Sequence, residues 1–494
     1  MQRVDHIGKL ATKLNTRMNV ILLSMAAAGA VWGAVLLLRG SLVAGCLAYF
    51  LLLTCFGRNF LQFDVGPITL SVDRLFLVFL IGSYAVQWRL GRIHYKPLEK
   101  LDWLVLAFVG LLTASTAFGK LFGGEMPVDA SNPDAASTVQ HLINGYLIPL
   151  SLYWIARQSP LTERALAGVL GFLTIFGVYL AATGLAEFFG QWGLVFPRYI
   201  ADPEIGLHFG RARGPMVQSV SYGFCLGACW LASWLWRERL GRAGQLAILA
   251  ASPLFAAALF CSHTRSVWIG VGLGVLVVLG LTLRGAWRPL ALAVLVVGGS
   301  LLVLPNLDRI VSLERGDNSA SQTRDSANFR KSFVYVSWKM FQDRPLLGVG
   351  FGQFTMAKLP YIHDRSADVR LEPIRDWTHH NTYLSLLTEV GAIGLALFLA
   401  LLAGWTRRAW RLARDAASSP AARRQGLLLL ATLGIYAVQA MWHELSFSPI
   451  DNSLLFLMAG LAVGLGRPAM PAAPLSQRAA TPVVRDAPMP VEAL

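Results

Sequence analysis

Apolar runs long enough to cross a lipid bilayer recur along most of this chain. They read as 18–38, 41–57, 71–88, 101–119, 140–157, 165–187, 219–236, 245–262, 265–283, 288–305, 382–405, 425–443 and 452–466. A spanning α-helix needs about 20 such residues. Inside hydrocarbon every main-chain N–H and C=O must be satisfied within the segment, so runs of this kind fold as a bundle of helices. Charge usage agrees: 14% of residues are Asp, Glu, Lys or Arg, against about 25% in a soluble domain. The expected fold is therefore an all-α polytopic membrane protein.

Charge placement orients the bundle. Four connections are basic: Arg89, Arg92, Lys96 and Lys100; Arg237, Arg239 and Arg242; Arg284 and Arg288; and Arg407, Arg408, Arg411, Arg414, Arg423 and Arg424. Short basic loops stay on the cytoplasmic side. Alternation then puts 120–139, 188–218, the tight turn 263–265, the long loop 306–381 and the loop 444–451 on the opposite side. The net charge of +15 is thus accounted for by topology, and nucleic acid is not an expected partner. Residues Met1–Arg17 are polar and basic, with no clear cleavage site before the first apolar run.

Parity raises one conflict. Thirteen spans with a cytoplasmic C-terminus need an external N-terminus, whereas Arg3, Lys9, Lys13 and Arg17 favour an internal one. About twelve spans remove the conflict, and the short run 41–57 is the candidate segment that does not fully cross. The chain then divides into an N-terminal part of the bundle (1–305), a loop domain (306–381), C-terminal spans (382–467) and a disordered cytoplasmic tail (468–494), rich in Pro and Ala. The five cysteines lie in apolar runs without a CxxC pair, so neither a metal site nor a disulfide framework is expected.

The loop 306–381 has its own patterning. Within Ser326–Asp343, Phe329, Phe333, Val336 and Met340 recur at helical spacing, which predicts an amphipathic helix lying on the membrane face. Pro345 ends it, and Gly348, Gly350 and Gly352 permit a tight turn. Eleven basic and nine acidic residues between 306 and 379 nearly balance, against a simple polyanion patch. Asp364, Asp368, Glu372 and Asp376 alternate with arginines as a solvated, salt-bridged surface does.

Chemistry concentrates where this loop re-enters the apolar run, at Trp377-Thr-His379-His380-Asn381-Thr-Tyr383. Histidine titrates near neutral pH and can take a proton from a hydroxyl; Asn381 can orient an imidazole or bind a sugar. The blander alternative is that these residues solvate and cap a helix start. Arginines on the same side follow: Arg211 and Arg213 in Gly210-Arg-Ala-Arg-Gly-Pro215, and Arg265 in Ser262-His-Thr-Arg-Ser266. Their donor forks suit phosphate oxygens, although snorkelling or carboxylate pairing also explains such arginines. Arg330 and Arg344 fit a solvated face equally well. Glu389 is a candidate to pair with an external arginine, and His443-Glu444 is a candidate second polar cluster; structural roles suit both better.

Two stretches carry a resemblance. Arg344-Pro-Leu-Leu-Gly-Val-Gly-Phe-Gly352, followed by His380-Asn-Thr-Tyr-Leu-Ser-Leu-Leu-Thr-Glu-Val-Gly-Ala-Ile-Gly394, resembles the O-antigen ligase / polysaccharide polymerase superfamily of the bacterial inner membrane. The Arg211–Gly214 stretch and Thr264-Arg265 look like that family's arginine loops. The resemblance implies about twelve spans, one large periplasmic loop, and transfer of a glycan from undecaprenyl diphosphate without nucleotide sugar, metal or other cofactor. It implies Arg211 and Arg265, helped by Arg213, on the diphosphate, with His379, Asn381 and Arg330 further lining the glycan site. His380 is implied as general base in an inverting displacement. His379 beside it departs from the pattern and leaves a second imidazole open for that role. The acceptor is a lipid A–core sugar for a ligase, or a growing glycan for a polymerase. A transporter is the reading from another class; it would show charged or broken helices near the bilayer midplane in paired halves, and no repeat is visible here.

Overall fold

The computed structural model describes residues 33–65, 68–121, 138–283 and 320–466, with 285, 288–290 and 293 between them. The expected tail 468–494, the first run 18–38 up to residue 32, and most of the run 288–305 lie outside the described residues.

The described chain is mostly helical. In order it forms α1 (Leu42–Cys55), strands β1 (Gln62–Val65) and β2 (Ile68–Ser71), α2 (Val72–Arg89), α3 (Lys100–Leu121) and α4 (Thr138–Leu142). A π turn (Ile143–Leu147) carries α4 into α5 (Ile148–Gln158). Then come α6 (Glu163–Phe188), α7 (Ser219–Arg237), α8 (Arg242–Cys261), α9 (Arg265–Thr282), α10 (Ala320–Asp343), α11 (Thr382–Glu389), α12 (Gly391–Arg414), α13 (Pro420–Ala440) and α14 (Pro449–Gly464). Among the described residues five helices are long and apolar enough to cross a membrane: α3, α6, α8, α9 and α12.

Two expectations need correction, and a third keeps its standing. The fold is not purely α-helical: β1 and β2 form an antiparallel hairpin in which Gln62 faces Ser71 and Val65 faces Ile68. Its short period-2 alternation is hidden between two much longer apolar runs. The run 41–57, the candidate segment that does not fully cross, is a 14-residue helix, shorter than the five spanning candidates, and it is built into the bundle. Leu42, Val43, Cys46, Leu47, Tyr49 and Phe50 are buried, against α2, α5, α6 and α14. Finally, the amphipathic helix does not use its apolar face on the membrane. Phe333, Val336 and Met340 of α10 pack with Phe354, Ile362, Leu371 and Ile374 in a core of their own, separate from the bundle core. Hydropathy gives the direction of an apolar face, and the residues that cover it come from later in the loop.

The two ends of the bundle differ in chemistry. At one end Lys96 Nζ donates to the carbonyls of Arg157, Ser159 and Gly464 at 2.8–3.0 Å. Arg239 pairs with Glu163 and Arg424 with Glu238, and Arg408 reaches the carbonyls of Ala462 and Val463. These are the basic connections of the sequence reading, apart from Arg284 and Arg288. Close helix approach sets this end: a Cβ on Gly460 would lie 2.4 Å from the Tyr153 carbonyl oxygen, so only glycine lets α14 lie against α5. The opposite end collects residues 54–59, 138–145, 187–217, 261–266, 349–354, 379–389 and 441–452, tied by the hydrogen bonds described next.

Candidate active site

The two stretches that carry the resemblance fold onto one another. Asn381 caps α11, its Oδ1 accepting from the Leu384 N–H at 3.0 Å, while its Nδ2 donates to the Met441 carbonyl at 2.9 Å. The helix stops at Glu389, and Gly391, at φ +68°, restarts the chain as α12. Main-chain bonds then stitch the glycine turn to this break: Val349 N–H to Thr388 O, Gly350 N–H to Glu389 O, and Ala392 N–H to Pro345 O, at 2.8–2.9 Å. Gly348 has φ +67°, and a Cβ there would meet the Thr388 carbonyl at 2.5 Å. Glycine is required on both counts.

Glu389 sits beneath this turn, 2% exposed. A structural role suited it in the sequence, with an external arginine as the other candidate partner. Its two oxygens accept the N–H groups of Gly352 at 2.9 Å and Phe354 at 3.3 Å. The carboxylate thus holds the glycine turn closed, and its partners are donors that no side-chain pattern reveals.

The two imidazoles have different surroundings. His379 is 2% exposed. Its Nε2 lies 2.9 Å from Thr388 Oγ1, and its ring packs 3.5 Å, centroid to centroid, from Phe354. Burial, with the charges of Lys358 and then His380, holds its pKa well below the ordinary histidine range, so it is neutral. His380 is half-buried. It stacks on Phe333 at 5.4 Å and meets Phe329 and Trp377 edge-on. Burial is the main cause that lowers its pKa, and the Arg330 charge adds to it, against hydrogen bonding of the ring to the main chain of His379 and Thr378, which raises it. A neutral imidazole beside an exposed arginine is a competent proton acceptor.

The arginines separate in the same way. Arg213, expected on a diphosphate, is 0% exposed. Its Nε pairs with Glu187 at 2.9 Å, its other guanidinium nitrogens donate to the carbonyls of Ile205 and Ile200, and its plane lies over Phe209. This is a structural arginine with its donors committed, which removes it from the expected binding set. Asn381 is half-buried, and both ends of its amide already hold main chain.

Arg211 and the Thr264-Arg265 turn come together. The Ala212 N–H donates to the Cys261 carbonyl at 3.0 Å, and the Arg211 charge acts, after burial, to lower the pKa of His263. Arg211 is half-buried, and Arg265 is exposed at the first residue of α9. A cation and a helix N-terminus share this spot, and both favour an anion. Around them three non-glycine residues adopt left-handed backbone conformations: His208 at φ +64°, Val217 at +47° and His263 at +48°. For a β-branched residue such as Val217 this is strained, and strain of this kind gathers at functional sites.

His443 joins the two clusters. Its Nε2 lies 2.9 Å from Ser266 Oγ, next to Arg265, and its carbonyl accepts the Thr382 hydroxyl at 2.8 Å, next to Asn381. On the arginine side the polar chain continues from Thr264 Oγ1 to Ser219 and on to His208. Sequence reasoning gave His443 a structural role without a partner; 177 residues separate it from Ser266, and no local pattern spans that interval. Lys358 was missed altogether. It is buried, donates to the Trp377 carbonyl, and lies 5.2 Å over the Phe354 ring. Burial pushes its pKa down to about 8, against the nearby Asp376.

Comparison with known proteins adds one match. Residues 250–399 match the family model described as O-Antigen ligase, and this supports the resemblance to the O-antigen ligase / polymerase superfamily. The matched stretch contains Arg265, Arg330, His379 and His380 and both resemblance stretches; Arg211 and Arg213 precede it. No curated protein matches the chain.

Proposed function

We propose, from the O-antigen ligase match together with this arrangement, that the chain is a glycosyltransferase of the bacterial inner membrane whose active site faces the periplasm. It moves a glycan from undecaprenyl diphosphate to a hydroxyl of the lipid A–core oligosaccharide. The observation that carries the reading is the link through His443, which connects the turn bearing Arg265 to the start of α11, where a neutral His380 sits.

The chemistry follows from the residues. The acceptor hydroxyl gives its proton to the His380 imidazole as its oxygen attacks the anomeric carbon. The bond from that carbon to the diphosphate oxygen breaks, and its electron pair leaves on the diphosphate. Arg211 and Arg265 stabilise the charge that develops there, supplying the positive charge that a divalent cation gives in other transferases. A single displacement inverts the anomeric carbon. His379, turned inward on Thr388, positions the main chain of His380 and does not touch substrate. Arg330 stands beside His380 at the edge of the site. The loop unit around α10, with its own core, would frame the entry of the lipid-linked donor.

A polymerase that joins lipid-linked repeat units uses the same donor chemistry with a different acceptor and is the second reading. The two part in a deletion strain analysed on a lipopolysaccharide gel. Loss of a ligase leaves polymer on the lipid carrier and none on lipid A, whereas loss of a polymerase leaves lipid A bearing a single repeat. Lipopolysaccharide unchanged by the deletion would overturn both.

A further inference from the structure

Trp377 is the largest side chain beside His380, and half of it stands open. It is 53% exposed on an irregular stretch of the loop unit. Its ring centroid lies 5.9 Å from that of His380 and 5.6 Å from that of Phe329. Both neighbours meet it at close to a right angle, 86° and 88°, so neither lies flat on the indole. Trp88, Trp103 and Trp410 are similarly exposed, but each sits on a helix of the bundle, where an aromatic belt at the membrane surface is expected. Trp377 belongs to no helix.

The main chain under this ring is fixed on both sides. The Trp377 N–H donates to the Ile374 carbonyl at 3.2 Å, and Ile374 is buried in the core of the loop unit. The Trp377 carbonyl accepts from Lys358 Nζ. Lys358 is 0% exposed, and its ammonium lies 5.2 Å over the Phe354 ring, which in turn packs on His379. Burying an ammonium is costly. This one is directed at a carbonyl and an aromatic face that together set where residues 377–380 run. A fixed main chain carrying an open ring is a preformed surface, so little ordering is left for a ligand to impose.

We propose that Trp377 is the platform on which the acceptor sugar lies and that Lys358 is the residue that positions it. The inference rests on the glycosyltransferase reading and adds the place of the acceptor. The C–H groups on one face of a pyranose carry partial positive charge and the face of an indole is negative, so the sugar lies flat on the ring with its rim hydroxyls free. The 5.9 Å between the two rings is a gap that one sugar residue bridges, bringing a rim hydroxyl to the His380 imidazole. The donor has its place on the other side of His380. There Asn381 is bonded to Met441 of the bundle, and His443 leads on to Ser266, beside Arg265.

The test is calorimetric binding of two free sugars, lipid A–core oligosaccharide and a single O-antigen repeat, to the purified full chain in detergent. For whichever sugar binds the wild type more tightly, Trp377→Ala should weaken binding about fivefold, and Trp377→Phe, which keeps an aromatic face, should restore it to within about twofold. Lys358→Met keeps the stem, removes the ammonium and should weaken binding about threefold through the freed Trp377 carbonyl. In transfer, Trp377→Ala should raise KM for the acceptor and leave KM for the donor unchanged. Wild-type sugar affinity in Trp377→Ala, the result for a mere membrane anchor, overturns the proposal. So does a rise in donor KM alone, or no measurable binding of either sugar to the wild type. Wild-type affinity in Lys358→Met with the fold intact by thermal melting overturns the positioning role; if that variant does not fold, the exposed Trp377 variants still decide the platform. Binding is read without transfer, so its failure is distinguishable from failure of the glycosyltransferase reading, which the deletion strain tests.

Discussion

The Nε2 of His379 lies 2.9 Å from the hydroxyl of Thr388, one helix further along the chain. That bond turns His379 into the aromatic core of the loop unit. Its neighbour His380 is left half-buried at the surface, stacked on Phe333 at 5.4 Å. Two adjacent imidazoles therefore have different surroundings, one buried and bonded, the other with exposed surface.

His380→Ala should lower transfer by about 10²–10⁴-fold, the range for loss of a general base, with expression and melting temperature close to wild type. His379→Ala should instead destabilise the protein by about 2–4 kcal/mol, through a lost buried hydrogen bond and the cavity left beside Phe354. In vitro transfer and thermal melting in detergent separate the two. Near-normal transfer in His380→Ala with loss in a folded His379→Ala would assign the base to the other ring.

The pH dependence has a definite sign. His380 is lowered by burial and by Arg330, so it stays neutral to pH values below the ordinary histidine value of about 6.5. The acidic limb of kcat/KM against pH should fall below that value. Arg330→Gln removes one lowering cause, so the His380 pKa rises and the limb moves to higher pH. A limb that does not move would show that another group sets it.

Arg213 and Arg265 should fail in different ways. Arg213→Ala leaves Glu187 buried and unpaired, which costs about 3–5 kcal/mol and should appear as lost folded protein in the membrane. Arg265→Ala should fold normally and lose about 10²–10³-fold in turnover with weaker donor binding. Detergent-solubilised yield, melting and donor KM make the comparison; a well-folded, fully active Arg213→Ala sinks the structural assignment.

Gly348→Ala should disrupt the joint between the glycine turn and α11. The new methyl would sit 2.5 Å from the Thr388 carbonyl, and the left-handed backbone adds roughly 1 kcal/mol or more. Because Glu389 is held by the same turn, melting temperature and transfer should fall together. A variant as stable as wild type would mean that the turn can open without cost.

Much was legible before the structure. Among the described residues the five candidate spanning helices fall on apolar runs, and the basic connections other than that of Arg284 and Arg288 meet at one end, because hydropathy and charge are local properties that the membrane sorts residue by residue. The glycine turn was readable from Gly348, Gly350 and Gly352. The hairpin at 62–71 was not, since four-residue strands give little signal beside runs of about twenty residues. The covered face of α10 was misassigned because periodicity tells which side of a helix is apolar and is silent on what packs there.

The amino-acid sequence by itself determined a helical membrane bundle, its two chemically different ends, and the small set of histidines and arginines gathered at one of them. Only the tertiary structure decided which members of that set are buried among partners and which keep exposed surface. Glu187 takes Arg213 out of the site across 26 residues of sequence, Thr388 takes His379, and His443 brings Ser266 and Thr382 together. These choices depend on desolvation and hydrogen bonding between groups that meet only when distant helices pack, and such energies have no signature in the spacing of residues along the chain.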